Sequence, residues 1–492
     1  MRYSRIMSDN KKEVDSLAAR FGMISAKELL SGERAPAPDP EKPATPSSVS
    51  GEEAPEKTGG VLSPGMAGQL RARLGLEGDY AEQGRAGGDS DGPPEIEAVI
   101  PGQVVGDDGY GFFLYRRAFP LDHLVGAVPV GAGLACDGAQ IALSACDTRL
   151  RTFDPLKTCY VDTETTGLAG GAGTVAFLVG LGYFREDAFI LEQCFMRDYD
   201  DEGAMLEYLA ERFAEFDCVV SYNGKSFDLP LLRARCVQHR LPAPFKEAAH
   251  YDLVHAVRRV WKQRLSDCSL NNIERLVLAF HREGDVPGFL IPGIWLDYLV
   301  YRDARPLEGV FYHHAMDIVS LAALAGHLSQ RLAATDGPAF HHAEDQLSLI
   351  RLYYKNKEYA SVMEHTRAFL EVSQVTDDLR RECLHLLGKA AKKLNRFDDM
   401  YETWKQLHEE YPEDCEGAAE LAKFLEHQFR NPRGAAEICR ETLQAIEASK
   451  GLPGLSGDFR ISALRGRLKR LEAKIDRRFK PKRGEEDEFF DA

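Results

Sequence analysis

Lys157-Thr-Cys-Tyr-Val-Asp-Thr-Glu-Thr-Thr-Gly-Leu168 decides how the rest of the chain is read. A short apolar, β-prone run, Thr158–Val161, breaks into Asp162-Thr163-Glu164 and then Thr165-Thr166-Gly167. Side chains alternate along a strand, so Asp162 and Glu164 point to one side of a sheet. Two carboxylates held side by side repel each other unless a cation lies between them. Hard oxygen ligands of this kind suit Mg²⁺ or Mn²⁺. Alone, the pattern is also that of a strand edge and a polar turn. A metal reading therefore needs more carboxylates downstream.

Two segments answer it. Ser221-Tyr-Asn-Gly-Lys-Ser-Phe-Asp228-Leu-Pro-Leu-Leu232 follows a strand-like run, with Asn223-Gly224 as the turn and Asp228 at the start of an amphipathic helix. By itself Asp228 is an ordinary helix N-terminal acid. The second is Tyr312-His-His-Ala-Met-Asp317-Ile-Val-Ser-Leu321. On a helix His313 and Asp317 lie four apart and face the same way. Two acids on a strand, one after a later strand and one on a late helix can converge at a sheet edge, where the histidine could take a proton from water.

The surrounding chain predicts an α/β domain. Between 157 and 332, strands at Thr158–Val161, Val175–Phe184, Phe189–Met196 and Cys218–Tyr222 alternate with helices at Asp201–Phe216, Phe227–His239, Leu253–Leu265, Ser269–Ala279 and His313–Leu332. Three consecutive strands followed by alternating elements predict a mixed sheet flanked by helices. The glycines at 170, 171, 173, 180 and 182 lack a following G-K-[ST], so they read as a turn feeding a tightly packed strand. Residues 95–156 read as a small β-rich subdomain with turns at Asp107-Asp108-Gly109 and Asp137-Gly138. Residues 1–94 read as mostly disordered, with a short helix at 11–30 and then a stretch rich in Pro, Ala, Gly, Ser and Glu.

Residues 340–480 read as an α-helical solenoid. Turns at Glu358-Tyr-Ala360, Arg396-Phe-Asp398 and Asn431-Pro-Arg433 recur 38 and 35 residues apart, each between two apolar-periodic helices. The last helix, Phe459–Phe479, is strongly basic and reads first as a solvated face, and 481–492 is an acidic tail. No apolar run is long enough to span a bilayer, and the N-terminus lacks the apolar centre of a signal peptide. The ten cysteines include no C-x-x-C pair, so buried thiols in a reducing, cytoplasmic setting are expected. A formal charge of −16 argues against a chain that coats nucleic acid throughout, though not against a local basic groove.

D-T-E-T-T-G-L at 162–168, N-G-x-x-F-D at 223–228 and H-H-x-x-D at 313–317 together resemble the DEDD group of 3′-to-5′ exonucleases. That group has the ribonuclease-H-like, or DnaQ-like, fold. With G-G-A-G-T at 170–174 and R-P-L-E-G at 305–309, the pattern looks like the YprB-type branch, in which a solenoid C-terminus resembling tetratricopeptide repeats also occurs. The resemblance implies a hydrolase with two Mg²⁺ or Mn²⁺ ions on Asp162, Glu164, Asp228 and Asp317. It also implies His313 as the base, with Tyr312 or His314 as alternatives. The histidine subclass places its histidine five residues before the last aspartate and the tyrosine subclass its tyrosine four before. Here Tyr312 stands at five and His313 at four, so residue type and spacing are crossed.

By the same resemblance Thr165, Gly167 and Leu168 would contact the terminal nucleotide, with Asn223 and Phe227 beside them. Arg258, Arg259 and Lys262 would supply positive charge for single-stranded DNA or RNA. Arg233, Arg235, His239 and Arg240 offer more. Tyr251 and Trp261 are possible stacking platforms, although core packing suits Trp261 better. Asp252 and Asp297 read as helix caps or starts, Asp267 as a turn residue, and His250 and His255 as surface or capping groups. Two other roles fit the same residues: a non-catalytic nucleic-acid or protein scaffold built on the helical repeats, and an endonuclease on RNA–DNA hybrids.

Overall fold

The computed structural model describes residues 92–107, 109–167, 173–334, 339–371, 375–448 and 459–479. The N-terminal helix at 11–30, the rest of the region up to 91, Leu168, Gly170, Gly171 and the acidic tail lie outside the described residues.

One mixed sheet of seven strands organises the central domain, in the order β1-β2-β7-β6-β5-β8-β9. Its strands are β1 (Gln103–Asp107), β2 (Tyr110–Pro120), β5 (Thr158–Thr165), β6 (Ala176–Phe184), β7 (Ala188–Phe195), β8 (Cys218–Ser221) and β9 (Ala249–Asp252). Two very short strands, β3 (Leu124–Val125) and β4 (Val128–Pro129), pair with each other. Short links make β5, β6 and β7 antiparallel, whereas helical crossovers make β5, β8 and β9 parallel. The carboxyl ends of β5 and β8 therefore open at the same edge. The β-rich segment 95–156 contributes β1 and β2 to this sheet, with β2 paired to β7 from Phe113↔Phe195 to Pro120↔Ala188.

The helices of this domain are α1 (Gly138–Ala145), α2 (Glu202–Phe213), α3 (Asp228–Gln238), α4 (Leu253–Trp261), α5 (Ile291–Tyr301) and α6 (Leu307–Ala333). The helix expected at 269–279 is one short turn, Leu270–Ile273, running into a wide turn at Glu274–Leu278. Strand β9 and most of α5 carry no sequence signal of their own. Asp297 lies inside α5, so it neither caps nor starts a helix.

Alternation along β5 builds two apolar cores. Tyr160 faces one, with α4 and the middle of α6, while Cys159 and Val161 face the other, with α3 and α5. Helix α6 lies against β6 because two glycines leave room. A Cβ on Gly180 would fall 2.0 Å from Ile318 Cδ1, and one on Gly182 2.6 Å from Ile318 Cγ2. That close approach brings the His313–Asp317 turn over the end of β5.

Beyond residue 340 the described chain is helical: α7 (Ala343–Lys355), α8 (Tyr359–Leu370), α9 (Asp377–Lys393), α10 (Phe397–Glu410), α11 (Cys415–His427), α12 (Pro432–Ala448) and α13 (Phe459–Phe479). Each packs on the next around its own core, which includes Leu384, Trp404, Leu421 and Cys439. The three recurrent turns share a backbone feature: Lys357, Asn395 and Arg430 adopt positive φ, at 65°, 55° and 51°. Helix α13 is not simply a solvated face, since Leu464 and Leu471 are buried and Arg467, Arg470 and Lys474 bind Glu426 of α11. Among the described residues no helix is long and apolar enough to cross a membrane.

Candidate metal centre at the ends of β5 and β8

Asp162 and Glu164 lie at the carboxyl end of β5, where burial gives way to partial exposure. Burial pushes both carboxyls up from their ordinary values. Asp317 and Asp228 push them further, and for Asp162 so does Glu164 itself. Repulsion among these groups means they share one electrostatic environment.

Asp228 reaches that environment from the other side. Thr163 shares the side of Val161, and its Oγ1 donates to Asp228 Oδ1 at 2.5 Å. Burial raises the Asp228 pKa, with the Thr163 hydrogen bond acting against it. The turn before Asp228 is held by Asp252, which accepts from Asn223 N at 2.7 Å and Lys225 N at 3.0 Å. Asn223 sits there at φ +68°. Asp252 also caps α4 through Val254 N, as expected. His250 is not a surface group: it is buried, and its Nε2 meets Ser221 Oγ at 2.8 Å.

The i, i+4 pair on α6 forms as the spacing predicts, with His313 Nε2 3.4 Å from Asp317 Oδ2. The other imidazole nitrogen, Nδ1, meets the Asp285 carboxylate at 2.9 and 3.0 Å. A carboxylate on Nδ1 makes that nitrogen an N–H donor and turns Nε2 toward the acids. Glu164, His313 and Asp317 each offer one ligand atom within 4.8 Å of one another. No other such group of three exists among the described residues. Two oxygens and one imidazole nitrogen suit a divalent cation.

Neither alternative base is free for that role. His314 is fully buried, its Nδ1 3.0 Å from Gln193 Nε2 and its Nε2 3.1 Å from the Asp162 carbonyl. Gln193 Nε2 can only donate, so His314 donates to Asp162, and burial lowers its pKa to about 4. It is a neutral strut that fixes β5 against α6. Tyr312 packs against the core instead.

One participant left no signal in the motifs. Arg282, between the turn at 274–278 and α5, enters the acid cluster with only 6% of its side chain exposed. It contacts Glu274, Asp285 and Asp317 together. Burial penalises the cation, but Asp317 and Glu274 more than compensate and raise its pKa. The run His281-Arg-Glu-Gly-Asp-Val-Pro287 is polar enough to pass for a surface loop. Asp285 was hidden for the same reason.

Thr165 Oγ1 donates to Gly167 O at 3.2 Å, and Phe227 is 54% exposed beside Asp228. Arg258 is exposed, Arg259 donates to Ser144 O at 2.9 Å, and Lys262 donates to Ser266 O. Tyr251 of β9 and Trp261 of α4 are buried in one core, which removes them as stacking platforms. Arg235 and His239 bind Glu202, and Arg233 donates to the carbonyls of Pro244 and Phe245. Asp267 holds its turn through Ser269.

Comparison with known proteins covers the same segment. A family model described as RNase_H superfamily matches residues 159–329. Over 289 residues the chain is 32% identical to the uncharacterized protein YprB of Bacillus subtilis (strain 168), covering 58% of this chain and 68% of that protein. The chain belongs to the YprB family. The superfamily match gives this YprB-family chain a nuclease-type fold, and superfamily members are typically metal-dependent nucleases. The acid-and-histidine cluster of this member lies inside the matched segment.

Proposed function

We propose that the protein is a metal-dependent 3′-to-5′ exonuclease that hydrolyses phosphodiesters of single-stranded DNA or RNA. The observation that carries this reading is the meeting of Glu164, His313 and Asp317 within 4.8 Å, with the charges of Asp317 and Glu164 also acting on Asp162. The donors fit a divalent ion, because two carboxylates and an imidazole nitrogen held this close make a mixed oxygen-and-nitrogen ligand set. Glu164, His313 and Asp317 would hold it, with His313 Nε2 then a ligand and not the base that the resemblance implies, and Asp162 and Asp228 would complete the anionic surround. Such an ion would supply Lewis acidity and stabilise the charge that develops on phosphate oxygens.

The chain's own groups do the rest. Asp285 orients the His313 ring, His314 ties β5 to α6, and Asp252 shapes the turn that presents Asn223 and Phe227. Phe227 offers an exposed ring on which a terminal base can stack, a contact that tolerates any base. Thr165, Gly167 and Leu168 would border the sugar and phosphate, with Arg258 and Lys262 as more distant positive charge. The helical C-terminus, read as tetratricopeptide-like units, would recruit a protein partner.

The test is release of nucleotides from 3′-labelled and 5′-labelled single-stranded oligonucleotides, DNA and RNA in parallel, with Mg²⁺ or Mn²⁺. Stepwise mononucleotide release from the 3′ end, abolished by Asp162→Ala, is expected. Internal fragments would mean an endonuclease. No cleavage under any of these conditions would favour the scaffold.

A further inference from the structure

Two-metal sites neutralise their carboxylates with two dications, yet this cluster already contains a buried cation of its own. Resting on the nuclease reading above, we propose that Arg282 takes the place of the second metal ion. The site then holds one divalent ion, on Glu164, His313 and Asp317.

Arg282 is built in, not draped over the site. Its Nε donates to Glu274 Oε2 at 2.9 Å, and its Nη2 to Glu274 Oε1 and Asp317 Oδ1 at 2.5 Å each. Its Nη1 meets the His313 carbonyl at 3.3 Å and Asp285 Oδ2 at 3.4 Å. All five N–H donors of the guanidinium thus have acceptors. A side chain so completely engaged and 94% enclosed is part of the frame.

The contacts also divide the ligand atoms. Asp317 Oδ1 belongs to Arg282, while Asp317 Oδ2 faces His313 Nε2. Asp285 bridges the two halves, holding His313 through Nδ1 and Arg282 through Nη1. Asp228 has one oxygen committed to Thr163, and among the described residues it joins no close group of three ligands. One cation position is therefore bounded by Glu164, His313 and Asp317, and beside it the guanidinium occupies Asp317 Oδ1 together with Glu274 and Asp285. Planar and permanently charged, that group offsets the acids' charge but cannot activate water as a Lewis acid. The imidazole ligand further favours Mn²⁺, since Mg²⁺ prefers oxygen donors and keeps its waters.

The experiment counts Mn²⁺ bound per full-length chain, by calorimetric titration and by electron paramagnetic resonance of free Mn²⁺. Ions that survive in the Glu164→Gln/Asp317→Asn double variant are subtracted. One site-specific ion is expected in the native protein, one in Arg282→Lys and two in folded Arg282→Gln. A native count of two overturns the inference and leaves the nuclease reading standing. A native count of zero overturns both. A count that stays at one in folded Arg282→Gln also overturns it. Should Arg282→Gln not fold by circular dichroism, Asp228→Asn decides: it keeps the ion if the inference holds and loses it if Asp228 is a ligand.

Discussion

Among the described residues, two of the clusters built around a buried charge have opposite balance. At the end of β5 a single guanidinium, Arg282, contacts Glu274, Asp285 and Asp317, and the charges of Asp162, Glu164 and Asp228 lie beside them. Between α11 and α13, a single carboxylate, Glu426, is surrounded by Arg467, Arg470, Lys474 and His427. Burial raises the Asp162 and Glu164 pKa values, and neighbouring acids add to the rise. Burial would raise that of Glu426 as well, but Lys474 and Arg470 override it and hold the carboxyl below its usual range. The second cluster is satisfied within the chain and ties two helices together. The first is left short of positive charge, which costs stability and makes a place for a cation.

The largest effect is expected where the imbalance is greatest. Asp162→Asn should reduce hydrolysis about 10³-fold, the equivalent of roughly 4 kcal/mol of transition-state stabilisation. The same substitution removes a charge that the fold disfavours, so the metal-free thermal midpoint should rise. A midpoint that falls would mean that Asp162 is structurally paired and that the contrast between the clusters is wrong.

The mirror experiment is Glu426→Gln. It should leave nuclease activity unchanged and cost about 1–2 kcal/mol in urea unfolding, discounted because water screens the half-exposed Arg470 and Lys474. The folded carboxyl lies below its ordinary 4.5, so its stabilisation is present above that value and is lost as pH falls through the folded one. The stability gap between native protein and variant should therefore close on acidification below about pH 4. A gap that widens in acid would refute the pairing.

Different physics made these two regions legible to different degrees. Strand alternation placed Asp162 and Glu164 on one side, and helical periodicity put His313 over Asp317. Both follow from backbone geometry alone. Gly180 and Gly182 read as belonging to a tightly packed strand, and Ile318 and Phe189 fill the space they leave. Arg282 and Asp285 were not legible, because a polar loop has no periodicity and its register against the sheet is set by tertiary packing. Asp252 was legible as a helix cap but not as the clamp on the 223–225 turn, since one carboxylate can serve both elements. Strand β9 is four residues long, too short for its pattern to stand out from a loop.

Asp285→Asn tests the loop's share of the site. An amide can still meet His313 Nδ1, but it can flip to present N–H₂ and no longer carries the charge that orients the ring. Replacement of such partners typically costs about 10–100-fold in metal affinity or activity. Loss within that range, with the fold intact by circular dichroism, is expected. Full activity would confine Asp285 to holding Arg282.

The smallest effect should come from Phe227, which is 54% exposed. Base stacking on an aromatic ring is worth about 1–3 kcal/mol per base. An exposed ring on a turn should deliver the lower end, so Phe227→Ala should raise KM about 5- to 10-fold. The turnover number should hold, since the ring would bind substrate and transition state equally. Phe227→Tyr keeps the stacking face and should restore KM. If instead kcat falls while KM is unchanged, the ring is acting on Asp228, its chain neighbour, and the acid cluster extends one residue further than its charges suggest.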